Sequence, residues 1–237
     1  MTELKDAVVF VTGANGGLGT EFVSQALARG AAKVYASARS PREWADERVV
    51  PLTLDVTDAV AVADAAVTAS DTTVVINNAG AAGAQSLLTA PLDDVRALFE
   101  INVFAPLSVA QAFAPVLARN GGGALIDIHS ALSWHGSGNA YSATKAALWS
   151  ITNSLRLDLA PQGTQVLGAH LGYTDTPMIK ALDVPKARPE DIIAAIYDGL
   201  EAGEHEVLAD DTSVSLKAAL SLPLTAAYPQ LAALTVA

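Results

Sequence analysis

Ala7-Val8-Val9-Phe10-Val11-Thr12-Gly13-Ala14-Asn15-Gly16-Gly17-Leu18-Gly19-Thr20-Glu21-Phe22 opens with an apolar run, breaks into glycines and resumes with helical periodicity. Ala7–Val11 reads as a buried strand, Thr12–Gly19 as a turn and Leu18–Arg29 as a helix. Glycines between a strand and a helix let the backbone approach a pyrophosphate and aim N–H groups at it from the helix N-terminus. Gly13, Gly17 and Gly19 are therefore candidate nucleotide-binding positions, although a glycine cluster alone could be an ordinary tight turn.

The same alternation continues along the chain. Strands are expected at Lys33–Ser37, Val49–Leu54, Thr73–Ile76, Ala124–Ile128, Gln165–Ala169 and Glu206–Leu208. Helices are expected at Asp58–Thr68, Leu92–Leu117, from Tyr141 to about Leu159, and at Glu190–Leu200. Strands alternating with helices pair in parallel and bury both faces. The expected fold is α/β: a doubly wound, mostly parallel seven-stranded Rossmann-type sheet with helices on both faces. No linker or composition break divides the 237 residues, so one domain over 1–237 is expected. Its last part, 222–237, is an apolar tail that either packs on a subunit or frays.

Composition narrows the function. A net charge of -11 argues against a nucleic-acid surface and against attraction to an anionic membrane. The chain has no cysteine, which excludes disulfides, Cys-ligated zinc and iron–sulfur clusters. Its four histidines show no metal-ligand spacing, so no metal is expected. Neither a signal peptide nor a run of roughly 18 apolar residues is read from the sequence, and the cytoplasm is the expected location.

Tyr141-Ser142-Ala143-Thr144-Lys145 places a phenol and an ammonium four apart, on one face of a helix. A lysine charge beside a tyrosine lowers its pKa from about 10 and suits it to exchange a proton with an alcohol or ketone oxygen. Such a pair also occurs by chance in many helices. At the end of the second strand, Ser37-Ala38-Arg39 carries no acid for a ribose 2′-hydroxyl. Arg39 can instead hold a 2′-phosphate, which favours NADP(H) and leaves NAD(H) as the alternative; Arg39 as a solvated loop residue stays open.

The glycine loop, Asn77-Asn78-Ala79-Gly80 after the fourth strand, and Tyr141-x-x-x-Lys145 together resemble the short-chain dehydrogenase/reductase family over roughly residues 6 to 178. The resemblance implies a one-domain oxidoreductase that transfers hydride between a nicotinamide and a ketone or secondary alcohol. It makes Tyr141 the general acid or base and Lys145 the residue that lowers its pKa and binds the nicotinamide ribose. Ser130 resembles the serine that bonds the substrate oxygen. Asn102 resembles the asparagine that holds a relay water, with a helix kink as its other reading. Asn77 and Gly80 resemble the element shaping the cofactor site, and Asp55 the adenine contact, unless it caps the following turn. The resemblance extends cofactor contacts to Asn15, Leu18, Val56, Ala79, Gly172 and Thr176.

Three features depart from the family pattern. Ser130 to Tyr141 is short at 11 positions, with Ser133 as the fallback serine. Leu171-Gly172 stands where Pro-Gly is usual. An apolar ending replaces a glycine-rich one, so a homo-oligomer, dimer or tetramer, is expected without a fixed number. Leu132, Trp134, His135, Tyr173, Met178 and Ile179 are candidate lining residues for a small hydrophobic ketone or secondary alcohol, Trp134 and Met178 being equally readable as core and His135 as a solvated loop residue. Trp149 reads as packing or a subunit contact and His129 as a core or surface histidine, pointing away from the face of Ser130. A non-catalytic nucleotide-binding redox sensor is the alternative from another class.

Overall fold

The computed structural model describes residues 2–83 and 85–231. Its first strand shows how the sheet is built. In β1 (Val8–Thr12), Val9 and Val11 face one core cluster and Phe10 faces another, because successive side chains alternate across a strand. Both faces therefore need cover. On one side, α1 (Leu18–Ala28) and α6 (Pro189–Glu201) supply Phe22, Val23, Ile193, Ile196 and Tyr197. On the other, α2 (Ala59–Thr68) and α4 (Ala105–Arg119) supply Val62, Val109, Phe113 and Val116. The Phe10 and Phe113 rings meet there at 4.4 Å.

The remaining strands are β2 (Lys33–Ala38), β3 (Val49–Thr53), β4 (Val74–Asn77), β5 (Ala124–Ile128), β6 (Gln165–His170) and β7 (Glu206–Leu208). Their order is β3-β2-β1-β4-β5-β6-β7, and every pairing is parallel. The expected doubly wound, seven-stranded sheet is present. The order reverses between β1 and β4, where a cleft opens at the carboxyl ends of the strands.

Two expectations change. The long helix expected at Leu92–Leu117 is α3 (Leu92–Phe99), a π-helical turn (Glu100–Phe104) and α4. Pro106 follows that turn and has no N–H to continue an α-helical ladder. Taken together, Leu92–Arg119 is also long and apolar enough to cross a bilayer by length and composition, unlike the sequence reading. Half of its most apolar 18-residue window is buried, with Val109, Phe113, Val116 and Leu117 packed on the sheet.

The helix carrying Tyr141 and Lys145 is α5 (Ala140–Leu159). After β7 come two helices the sequence reading lacks, α7 (Asp211–Ala219), capped by the Asp210 carboxylate, and the short α8 (Leu224–Ala227). Of the tail 222–237, residues 232–237 lie outside the described residues.

Candidate active site

The turn after β1 is built to receive an anion. Gly17 caps α1 at φ 54° and contributes no side chain to the cap, so no side chain covers the Leu18 N–H, while the Gly19 N–H donates to the Gly16 carbonyl at 3.1 Å. A Cβ on Gly19 would lie 2.1 Å from the Gly13 carbonyl oxygen. The turn can pack this tightly only with glycine there. Thr176 stands across the cleft, 3.4 Å from where a Gly17 Cβ would be. Beside it a cavity of 580 Å³ is bordered by Gly17, Thr20, Asp175, Lys186 and Arg188.

Residues missed in the sequence hold this turn. The Asn78 side chain donates to the Thr12 and Gly13 carbonyls at 2.9 and 3.2 Å, while the Asn78 and Ala79 N–H groups each donate to the Thr12 hydroxyl at 3.0 Å. Asn77, the neighbour assigned by resemblance, turns the other way. Its amide donates to the Pro106 carbonyl and to Asp127 at 2.9 Å. Alternation along β4 carries the signal that separates the two asparagines. Asn15 donates to the Ser40 carbonyl and accepts from the Arg42 N–H, fastening the glycine turn to the loop that presents exposed Arg39.

Asp55 accepts from the Thr57 N–H and hydroxyl at 3.0 and 2.7 Å. These bonds hold its carboxyl below the usual range, and they match its reading as a turn cap. Val56 is buried beside it.

Ser130 follows β5 and begins a single 3₁₀ turn, Ala131–Ser133, its hydroxyl accepting from the Leu132 N–H at 3.1 Å. Ser133 instead reaches back to the Ser130 N–H. Ser130, not the fallback serine, stands at the Tyr141 phenol. Asn139 caps α5 and so fixes where Tyr141 begins the helix.

The expected depression of the Tyr141 pKa is absent. Burial pushes the phenol up to about 12, with Ser130 pulling only partly downward. Lys145 explains the difference. Its Nζ donates to the Ile128 carbonyl at 2.7 Å and lies 5.8 Å from the Tyr141 ring centroid. The ammonium is buried and its pKa falls to about 8, opposed by Asp127. Asp127, also unassigned in the sequence, is fully buried and accepts from Asn77 and Thr152; burial raises its pKa.

Asn102 occupies the π turn, which realises its kink reading. It accepts from the Ala81 N–H and donates to the Ala81 carbonyl and the Thr144 hydroxyl. Both amide N–H groups are engaged, leaving one Oδ1 lone pair beside Gly80 for a further partner. Through Thr144 the amide is joined to the backbone carbonyl of Tyr141.

Past β6, the Gly172 N–H donates to Asp210 at 2.5 Å, so a helix-capping carboxylate steadies the loop that lacks the usual proline. His129, expected as packing, is buried and stacked on His170 at 4.6 Å. Trp134 stacks on His170 at 4.0 Å and meets Trp149 edge-on, which makes it a packing residue rather than pocket lining. Burial lowers the His170 pKa to about 3, so this stack stays neutral. Tyr173 and Met178 are exposed at the cleft mouth.

Comparison with known proteins identifies the family. The family model for short chain dehydrogenases matches residues 7–186. A solved short chain dehydrogenase from Burkholderia cenocepacia J2315, in complex with NADP, is 35% identical with a TM-score of 0.90, over 97% of this chain and 99% of that one. An uncharacterized oxidoreductase of Staphylococcus aureus (strain USA300) is 31% identical over 221 residues, covering 86% of this chain and 95% of its own. The 1-deoxy-11-beta-hydroxypentalenate dehydrogenase of Streptomyces exfoliatus is 33% identical over 221 residues, covering 83% and 80%. The chain belongs to the short-chain dehydrogenase family.

Proposed function

We propose that this protein is an NADP(H)-dependent oxidoreductase that reduces hydrophobic small-molecule ketones and, in reverse, oxidises secondary alcohols. The observation that carries the reading is the meeting of Ser130 and Tyr141 with buried Lys145 at the mouth of a cleft whose other end is an anion-ready glycine turn. Bound there, the nicotinamide supplies or accepts the hydride.

The protein's part is the proton and the orientation. The Ser130 and Tyr141 hydroxyls face the ketone oxygen, where negative charge develops. Tyr141, protonated throughout the neutral range, is loaded as an acid for reduction. Lys145 keeps a charge beneath the site, and its ammonium, which gives one of three N–H donors to the Ile128 carbonyl, has others to reach a ribose hydroxyl. Asn102 and Thr144 fix the start of α5 against Ala81, and the open Oδ1 lone pair is the place for a relay water.

Arg39 supports NADP(H). It is exposed at the end of β2, with no acid of its own strand beside it, on a loop that Asn15 holds to the glycine turn. The NADP complex of the 35% identical Burkholderia protein supports the same choice. Outward-facing Phe104 and Leu157, both large and apolar, suit a homo-oligomer of cytoplasmic subunits.

Tyr141→Phe tests the reading. The variant is expected to fold and bind NADPH while ketone turnover falls by a factor of at least about 100, the ordinary worth of a positioned proton donor. Turnover near wild type would remove Tyr141 from the mechanism.

A further inference from the structure

The loop between Ser130 and Tyr141 is held from two sides. On one side, the Leu87 N–H donates to the Gly138 carbonyl at 3.2 Å, and Ser86 and Asn139 form an antiparallel bridge. On the other side stands the C-terminal segment. The Gly136 N–H donates to the Tyr228 hydroxyl oxygen at 2.7 Å, 92 residues along the chain. The Tyr228 ring also stacks on His135 at 4.6 Å with 19° between planes. A terminal segment stays in place only when tied down, and this pair of contacts is such a tie. It lands on the loop that joins the two hydroxyls aimed at the substrate.

The surroundings of this tie are apolar and open. Leu224 and Leu231 flank Tyr228 along the chain, are joined to it by backbone hydrogen bonds and are exposed. We propose that residues 224–231 form a wall of the substrate entrance in the same chain, and that Tyr228, pinned on His135 and Gly136, is a specificity-determining residue favouring bulky apolar ketones over small ones. This rests on the ketone-reductase reading above. The tie fixes the outer edge of the 131–139 loop, and the leucines beside it offer apolar area that only a large substrate can cover. A small ketone bound at Ser130 and Tyr141 does not reach that far. Apolar contact of one or two carbon groups discriminates by about 10- to 200-fold, which sets the scale of the effect.

The experiment compares wild type, Tyr228→Phe and Tyr228→Ala with NADPH on butan-2-one and on a bulky aryl ketone. Tyr228→Ala is expected to lower kcat/KM for the aryl ketone about tenfold or more relative to butan-2-one, while the Kd for NADPH stays within about twofold. Tyr228→Phe keeps the stack and loses the acceptor, so the Gly136 amide should exchange with solvent about tenfold faster. An unchanged ratio of kcat/KM in Tyr228→Ala, with wild type active on both ketones, overturns the proposal and leaves the ketone-reductase reading standing. Wild type inactive on every ketone overturns that reading and the wall with it. If Tyr228→Ala fails to fold, an unchanged Gly136 exchange rate and unchanged selectivity in Tyr228→Phe overturn the proposal equally.

Discussion

Lys145→Met is expected to make the ligand-free protein more stable at pH 7 while removing its activity. Lys145 is 7% exposed, and burial brings its pKa from 10.5 down to about 8. Each pKa unit corresponds to about 1.4 kcal/mol, so holding the charged form in the fold costs about 3 kcal/mol. Met has a similar unbranched shape and no charge to desolvate. The substitution also removes the 2.7 Å bond to the Ile128 carbonyl, a loss of about 1 kcal/mol. A net gain of about 2 kcal/mol remains, or roughly 4–8 °C in Tm for a chain of this size.

The sign of the pH dependence follows from which state holds the proton. Between about pH 8 and 10.5, the unfolded lysine is charged and the folded one is not, so the unfolded state binds more protons. Wild-type stability attributable to this group therefore rises with pH through that window. The advantage of Lys145→Met is full below pH 8, vanishes near about pH 9.5 and reverses by about 1 kcal/mol near 10.5, where only the lost Ile128 bond remains. Thermal melts of both proteins at pH 7, 8, 9 and 10 measure it. A variant less stable than wild type at pH 7, or a gap that does not close as the pH rises, would refute the desolvation argument.

Three further outcomes follow from the same structure. Arg39→Asp should weaken NADPH binding far more than NADH binding in fluorescence titrations; equal effects would exclude a 2′-phosphate contact. Gly19→Ala drives a Cβ to 2.1 Å from the Gly13 carbonyl and should abolish binding of both cofactors in the same titration, whereas retained affinity would mean that the turn can open. Asn102→Ala leaves the Ala81 N–H, the Ala81 carbonyl and the Thr144 hydroxyl without this partner, so urea unfolding should show a loss of about 2–4 kcal/mol. A loss under about 1 kcal/mol would show that water replaces the amide readily.

Much of the fold was legible because its signals are local. Apolar runs of four to six residues, broken by glycines and followed by helical periodicity, mark a parallel sheet without reference to anything distant. The glycine turn, Ser130 and the Tyr141–Lys145 spacing were legible for the same reason. Less local features were not. A kink at Asn102 was readable, but its form as a π turn at Glu100–Phe104 depends on Ala81 and Thr144, partners 21 and 42 residues away. Asn78 and Asn77 are adjacent and chemically identical, and only the face of β4 gives them different tasks. Asp127 carries no motif at all.

By itself, the sequence determined the doubly wound sheet, the place of the glycine turn on it and the chemical groups available for proton transfer. These rest on backbone freedom, side-chain periodicity and residue type, all properties of neighbours in the chain. The tertiary structure decided how those groups are tuned. It turned Lys145 toward the Ile128 carbonyl, raised Tyr141 to about 12 by burial, and laid Tyr228 on the loop beside the candidate site. Desolvation and long-range contact act through space, and no spacing along the chain records them.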